Sequence, residues 1–304
     1  MKSPEWTLRQ AIVCLLGSTL LTLALSLGSY YLWTKHRQTR LNDEKYRIVA
    51  IIQTGPEKEA LKTAYLAELL SLSADQSLSI YAFDLKKAER KLLSSPLIRD
   101  AKIKRLPPGT LYIDYEVRKP IAWLADYQNT GIDRDGYLFP MTPFFSPKQL
   151  PEIYLGMPAF GSQEDRSGRK GGQWLTPVQN RYLALAFEIL QFFEGSPWKE
   201  GLRVKRIDVS NAFAPSLGQR EVVLFTEEEL NVRQNDREIV CVFPKILRLA
   251  PKDYSQQLGN FFALRRSMME DYRRQLASIQ QSGRFAPRII DLRIPQLAFV
   301  QNQG

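Results

Sequence analysis

The hydrophobic pattern changes twice along this chain. From Gln10 to Thr34, "QAIVCLLGSTLLTLALSLGSYYLWT" contains no charged residue. A helix rising ~1.5 Å per residue needs ~20 residues to cross ~30 Å of hydrocarbon, so residues 10–34 are predicted to form a transmembrane helix behind a short tail, 1–9. Tyr30, Tyr31 and Trp33 cluster at its far end, followed directly by Lys35 and Arg37. Amphipathic rings prefer the headgroup layer, so these five residues are the predicted membrane interface. The run ends in aromatics and "KHR" rather than the small-residue cleavage site of a secretory signal, whose apolar core spans about 7–15 residues. Residues 35–45 read as a polar juxtamembrane stalk.

From Tyr46 the pattern becomes short and mixed. "YRIVAIIQTG" is a β-branched strand stopped by Gly55-Pro56. "EKEALKTAYLAELLSLS" then places Leu61, Tyr65, Leu69 and Leu72 on one helical stripe, broadened by Leu66 and Leu70. Asp84 caps a second predicted helix with Leu85, Ala88, Leu92 and Leu93 inward, closed by Pro96. Two alternating segments, Ala101 to Arg105 and Leu111 to Val117, hinge on Pro107-Pro108-Gly109, with Lys102 and Lys104 expected to face Asp114 and Glu116. Strand, helix, helix, strand, strand over residues 46–120 makes a complete α+β layer pair.

Beyond Ile121, period two dominates. "IAWLADY", "TGIDRDGYLFP", "LPEIYLG", "VKRIDVSNAFAP", "REVVLFTEE" and "REIVCVFP" are predicted strands. Thr176-Pro177 is expected to open a helix with Val178, Tyr182, Leu185, Ile189 and Phe193 as its stripe. A long helix over about residues 252–281 presents Leu258, Phe261, Met268, Tyr272, Leu276 and Ile279 inward, and its "RRSMMEDYRR" is read as a solvated polar face. Gly161 to Gln173 is a glycine-rich basic loop. The fold class is therefore α+β: one membrane helix, a β-α-α-β-β domain over 46–120, and a mostly β domain with two helices over 121–304.

Composition narrows the chemistry. With 42 Lys and Arg against 32 Asp and Glu the chain carries +10, which favours acidic or anionic partners without choosing among them. The basic residues are mixed with acids rather than interleaved with aromatics, so nucleic acid is not an expected partner, whereas membrane lipid is. Cys14 lies in the apolar run and Cys241 in "REIVCVF", which offers no disulfide framework. The single histidine, His36, sits in the stalk, so no Ser-His or Cys-His arrangement is available. Asp133 and Asp135 in "GIDRDGYLF" lack the further ligands of a calcium loop and read as a tight Asp-Gly turn. No phosphate-binding glycine motif is present, and no metal, cofactor or catalytic residue is expected.

Flanking charge alone leaves the orientation open. Lys2 and Arg9 precede the span and five basic residues follow it, but long domains translocate largely regardless of such charge.

"SPLIRDAKIKRLPPGTLYIDYEVRKPIAW", "GIDRDGYLFP", "LPEIYLG" and "RIIDLRIPQLAFV" occur in an order and spacing that resemble the FtsQ/DivIB family of bacterial cell-division proteins. The departures are Val222 to Leu249, which lacks the family's glycine-containing hairpin, and Pro295-Gln296, where the family often has glycine. The resemblance implies a POTRA domain at 46–120 and a β domain ending in an edge strand. It also implies a single-pass inner-membrane protein, N-terminus cytoplasmic and domains outside, enriched at the division site. Such a protein is a non-enzymatic scaffold that binds bitopic partners of the FtsB/FtsL type and helps control septal peptidoglycan synthesis.

The physics of an edge strand suits β-augmentation, which makes Arg293, Leu297, Ala298, Phe299 and Val300 the expected partner surface. The alternatives are a membrane-anchored POTRA protein of secretion or outer-membrane assembly, and an anchored envelope hydrolase.

Overall fold

The computed structural model describes residues 8–56, 58–73, 78–157, 175–195, 201–234, 237–276 and 282–302. It is α+β, and its contacts divide it into two units, Met1–Val117 and Arg118–Gly304.

The first unit begins with α1 (Leu8–Asn42). The most apolar stretch of this helix within Ile12–Asn42 has a mean hydropathy of 1.9 and none of it is buried, so the helix is long and apolar enough to span a membrane. The expected stalk is not a separate segment. With no glycine or proline between Tyr30 and Thr54, the helix runs unbroken to Asn42, and a 3-10 turn over Glu44–Tyr46 follows. The first strand is also shorter than expected. Residues 46–48 pair with 78–80 instead (Ile48 N–H to Leu78 O, 2.9 Å; Ile80 N–H to Tyr46 O, 2.7 Å), and β1 covers Ala50–Thr54.

Next come α2 (Thr63–Leu69) and α3 (Leu85–Leu93), then β2 (Ile98–Leu106) and β3 (Thr110–Val117). The sheet order is β1-β3-β2, with β1 parallel and β2 antiparallel to the central β3. Asp84 caps α3 as expected, its carboxylate accepting the Lys87 N–H at 3.1 Å. Two of the expected faces need correcting. The buried line of α2 runs through Leu66 and Leu70 rather than Tyr65 and Leu69, and Leu93 is exposed while Leu92 fills the core.

Leu111, Ile113, Tyr115 and Val117 alternate inward on β3, and the Tyr115 hydroxyl accepts the Leu61 N–H at 2.8 Å. Lys102 does stand opposite Asp114. Glu116, however, stands opposite Asp100 and Lys104 opposite Tyr112, because the hairpin turn sets one register that runs unbroken from Leu106–Thr110 to Asp100–Glu116; the irregularity between Ile98 and Asp100 shifts only the last pair, Ile98 with Val117.

The second unit is one ten-stranded sheet. Its strands are β4 (Ala122–Leu124), β5 (Thr130–Ile132), β6 (Leu138–Pro140), β7 (Glu152–Tyr154), β8 (Leu202–Asp208), β9 (Val222–Gln234), β10 (Arg237–Leu249), β11 (Gly283–Arg284), β12 (Arg288–Asp291) and β13 (Phe299–Asn302). The order is β13-β12-β10-β9-β8-β7-β4-β5-β6, with β11 also on β10. Among the described residues, α4 (Arg181–Glu194) lies between the parallel strands β7 and β8, and α5 (Tyr254–Leu276) between β10 and its parallel neighbours β11 and β12; β4 and β7, also parallel, have β5 and β6 between them.

Helix α4 starts later than expected, because Asn180, not Thr176, is its cap and accepts the Leu183 N–H at 2.8 Å. On α5, Leu258, Phe261, Met268 and Tyr272 are buried; the side chains of Leu276 and Ile279 lie outside the described residues, as does the loop 161–173.

A single apolar row crosses seven strands on the helix-covered side: Leu124, Ile153, Ile207, Leu224, Leu247, Ile290 and Val300 stand side by side. All but Val300 are fully buried. Strands β9 and β10 pair antiparallel along all thirteen residues of each. Pro244 sits within β10 without breaking it. Val242 and Arg248 both give their carbonyls to the β11–β12 side, so Pro244, of the same parity, turns its nitrogen there. Neither ladder, Cys241–Val242 with β11 nor Lys245–Arg248 with β12, includes Pro244, so its missing N–H removes no rung.

Candidate functional site

The free end of the sheet is built by the last turn and strand. After β12 the chain bends at Ile294-Pro295-Gln296-Leu297, closed by the Leu297 N–H on the Ile294 carbonyl at 3.2 Å. Proline suits the second position of this turn, and Gln296 takes φ 63°, the left-handed conformation that favours glycine. Gln296→Gly therefore raises the melting temperature of the purified protein, corresponding to up to ~1 kcal/mol, by relieving that conformation. A lower melting temperature would show that the Gln296 side chain makes a stabilising contact.

Strand β13 then runs antiparallel to β12, pairing Asp291 with Phe299, Ile290 with Val300 and Ile289 with Gln301. It is the terminal strand of the sheet. Leu297, Ala298, Phe299 and Val300 are all exposed, Val300 at 45%.

Backbone parity decides which groups of β13 are available. The Leu292 N–H points to β10, bonding the Arg248 carbonyl at 2.9 Å, so Ile290 points the same way and Ile289 and Asp291 point to β13. Phe299 and Gln301 are therefore the residues that bond to β12. Val300 directs its N–H and C=O outward, along the open edge. Its side chain ends the buried row that began at Leu124. An added strand would find both backbone partners and an apolar position in line with the core.

Arg293 is near this edge but is engaged. Its guanidinium bonds Asp291 at 2.7 and 3.0 Å and lies 3.4 Å from Glu221, while Arg248 bonds Glu221 at 2.8 Å and lies 3.5 Å from Asp291. This four-membered network fixes the bend that leads into the edge. Burial pushes the Asp291 carboxyl up, but the hydrogen bonds and charge of Arg293, with Arg248, together outweigh it and hold the group below its ordinary value of 3.8.

A depressed carboxylate contributes stability that is present above its unfolded value and lost as pH falls through the folded one. Asp291→Asn is thus less stable than the parent at neutral pH, and the difference shrinks as melts are taken below 3.8. A difference independent of pH would remove the ionised carboxylate from this account.

The aspartates of "GIDRDG" are also placed. Asp133 is buried and accepts the N–H groups of Asp135 (3.0 Å) and Tyr137 (2.8 Å) with one oxygen and the Arg118 guanidinium (2.9 Å) with the other. Gly136 completes the turn at φ +85°, where a Cβ would lie 2.7 Å from the Val178 carbonyl. Asp133 organises a tight turn between β5 and β6. Among the described residues there is no group of three or more His, Cys, Asp or Glu able to hold a metal ion.

At the other end of the chain, Tyr30, Tyr31, Trp33, Lys35 and Arg37 are all exposed on α1, with the Arg37 guanidinium 5.6 Å from the Trp33 ring centre. They form one aromatic and basic collar at the end of the apolar run. His36 is exposed beside them and Cys241 is buried in β10.

One buried cluster was not expected from the sequence. Glu228 on β9 and Lys245 on β10, at 1% and 0% side-chain exposure, are paired beneath α5, and Arg265 of α5 reaches the second Glu228 oxygen at 2.5 Å. Arg265 therefore does not belong to a solvated face, whereas Arg274 is exposed. Burial pushes the Lys245 ammonium down, and Glu228 opposes that shift. Tyr272 stacks on Phe243 with ring centres 4.0 Å apart, and Arg288 of β12 lies 4.6 Å from the Tyr272 ring centre. The signal was present in the alternation: Glu228 follows Val222, Leu224 and Thr226 on the core face, and Lys245 follows Cys241 and Phe243.

The chain matches no protein-family model, and a search of curated proteins returns no match.

Proposed function

We propose that this chain is a bitopic division scaffold of the FtsQ/DivIB type, anchored in the inner membrane by α1 with its N-terminus in the cytoplasm. In this reading the first unit is a POTRA domain, and the second presents β13 to a bitopic partner of the FtsB/FtsL type. The protein works by binding, without a cofactor, and helps control septal peptidoglycan synthesis. The observation that carries the reading is the open edge at Val300, where outward backbone groups and an exposed apolar side chain continue the core row. The β-α-α-β-β order of the first unit supports it too, as does the Asp133 turn that gives the "GIDRDGYLFP" motif a structural purpose.

An N-terminal fluorescent fusion at native level in its own host tests the proposal. Concentration at the division site is the expected result. A uniform envelope signal through division would instead favour an anchored POTRA protein of secretion or assembly.

A further inference from the structure

Three apolar side chains at one end of the first unit's sheet lie outside its core. Val49 is 82% exposed, and Leu78 and Leu106 are also exposed. Backbone bonds bring the three together: Ile48 N–H to Leu78 O (2.9 Å) and Val49 N–H to Gly109 O (2.9 Å), with Leu106 pairing Thr110 across the β2–β3 hairpin. The approach is close, since a Cβ on Gly109 would lie 2.2 Å from the Arg47 carbonyl oxygen and 3.4 Å from a Val49 methyl.

This is also the end of the sheet next to α1. Strand β1 leaves it soon after Asn42, β3 starts level with β1 (Ala50 with Thr110), and the Ser79 hydroxyl donates to the Arg40 carbonyl at 3.4 Å. Lys45, Arg47 and Lys104 are exposed around the patch. Of the nearby carboxylates, Asp43 accepts the Lys45 N–H and Glu44 lies 3.5 Å from Arg47.

We infer that this hairpin end of the first unit docks on the anionic headgroup layer of the membrane that α1 crosses. The inference rests on the reading of α1 as a membrane span and is independent of the division role. Exposed apolar side chains beside a membrane helix, with three cations near them against two carboxylates, match a surface that is apolar below and negatively charged above. The uncharged run 10–34 would rise about 37 Å, more than the ~30 Å hydrocarbon layer. Such an excess is accommodated by tilt, which brings the segment after Trp33 nearer the headgroups.

The test uses the full chain in nanodiscs of phosphatidylethanolamine and phosphatidylglycerol. Spin labels are placed singly at Leu106→Cys, at Glu116→Cys on the far end of the same sheet, and at Leu21→Cys within α1, with Cys14→Ser throughout. The label at 106 is expected to be more accessible to oxygen than to a water-soluble nickel chelate, and the label at 116 the reverse. Lys45→Gln or Lys104→Gln should each shift the docked population about fivefold toward the free form, the ~1 kcal/mol of one basic residue at an anionic surface.

A label at 106 that behaves like the one at 116 overturns the inference, as does one shielded from both reagents, which would mean protein cover. The label at 21 separates the two readings: oxygen-accessible, it leaves the span standing even if docking fails; water-accessible, it removes both.

Discussion

Glu228→Gln is expected to destabilise the second unit by ~3–5 kcal/mol, the usual result of breaking a buried ion pair by removing one partner. At about 2–4 °C per kcal/mol for a domain of this size, its melting temperature falls by roughly 6–20 °C. The reason lies in the charge balance under α5. Glu228 accepts from both Lys245 and Arg265, and neither glutamine nor any neighbour in that network can replace its charge. Two cations would be left facing each other in the core.

Lys245→Met should behave differently. It leaves the Glu228–Arg265 pair intact and removes an ammonium whose charged form burial already disfavours, so a change within ~1.5 kcal/mol is expected. Thermal melts of both variants check the asymmetry. Equal losses would mean that Arg265 does not hold Glu228 in solution.

Asp133→Ala is expected to cost about the same, ~3–5 kcal/mol, for a related reason. The variant strips two backbone N–H groups of their acceptor and leaves the Arg118 guanidinium, stacked 3.7 Å from the Tyr137 ring centre, without its counter-charge. Asp133→Asn keeps an oxygen for the two N–H groups and should lose less. This ordering, read from denaturant unfolding, separates a structural turn from a catalytic pair. A folded, fully stable Asp133→Ala protein that had lost an activity would revive the hydrolase reading.

Most of the architecture was legible because it is written in local chemistry. Asp84 announces α3, period two announces β3 and β10, and the charge-free run announces α1. What escaped depends on partners far apart in sequence. Nothing near Glu116 reveals that Asp100 will stand opposite it, because the register is set by the hairpin turn at the other end of the strand. Thr176-Pro177 has the composition of a helix start, yet Asn180, four residues on, has the oxygen that reaches the Leu183 N–H. The candidate edge was legible as a segment, Leu297 to Val300. Only the pairing of β12 on both sides identifies Val300 as the residue whose backbone faces outward.

That parity makes Val300→Pro the most direct test. Proline there removes an outward N–H and no bond to β12, a substitution edge strands tolerate, whereas proline at Phe299 or Gln301 would break the ladder itself. The measurement is division in host cells depleted of the native protein and supplied with either the parent chain or Val300→Pro, alongside melts of the two purified proteins. Matching melting temperatures, normal division with the parent, and filaments with Val300→Pro are the expected results. Division by Val300→Pro as complete as that of the parent would contradict partner binding along the β13 edge.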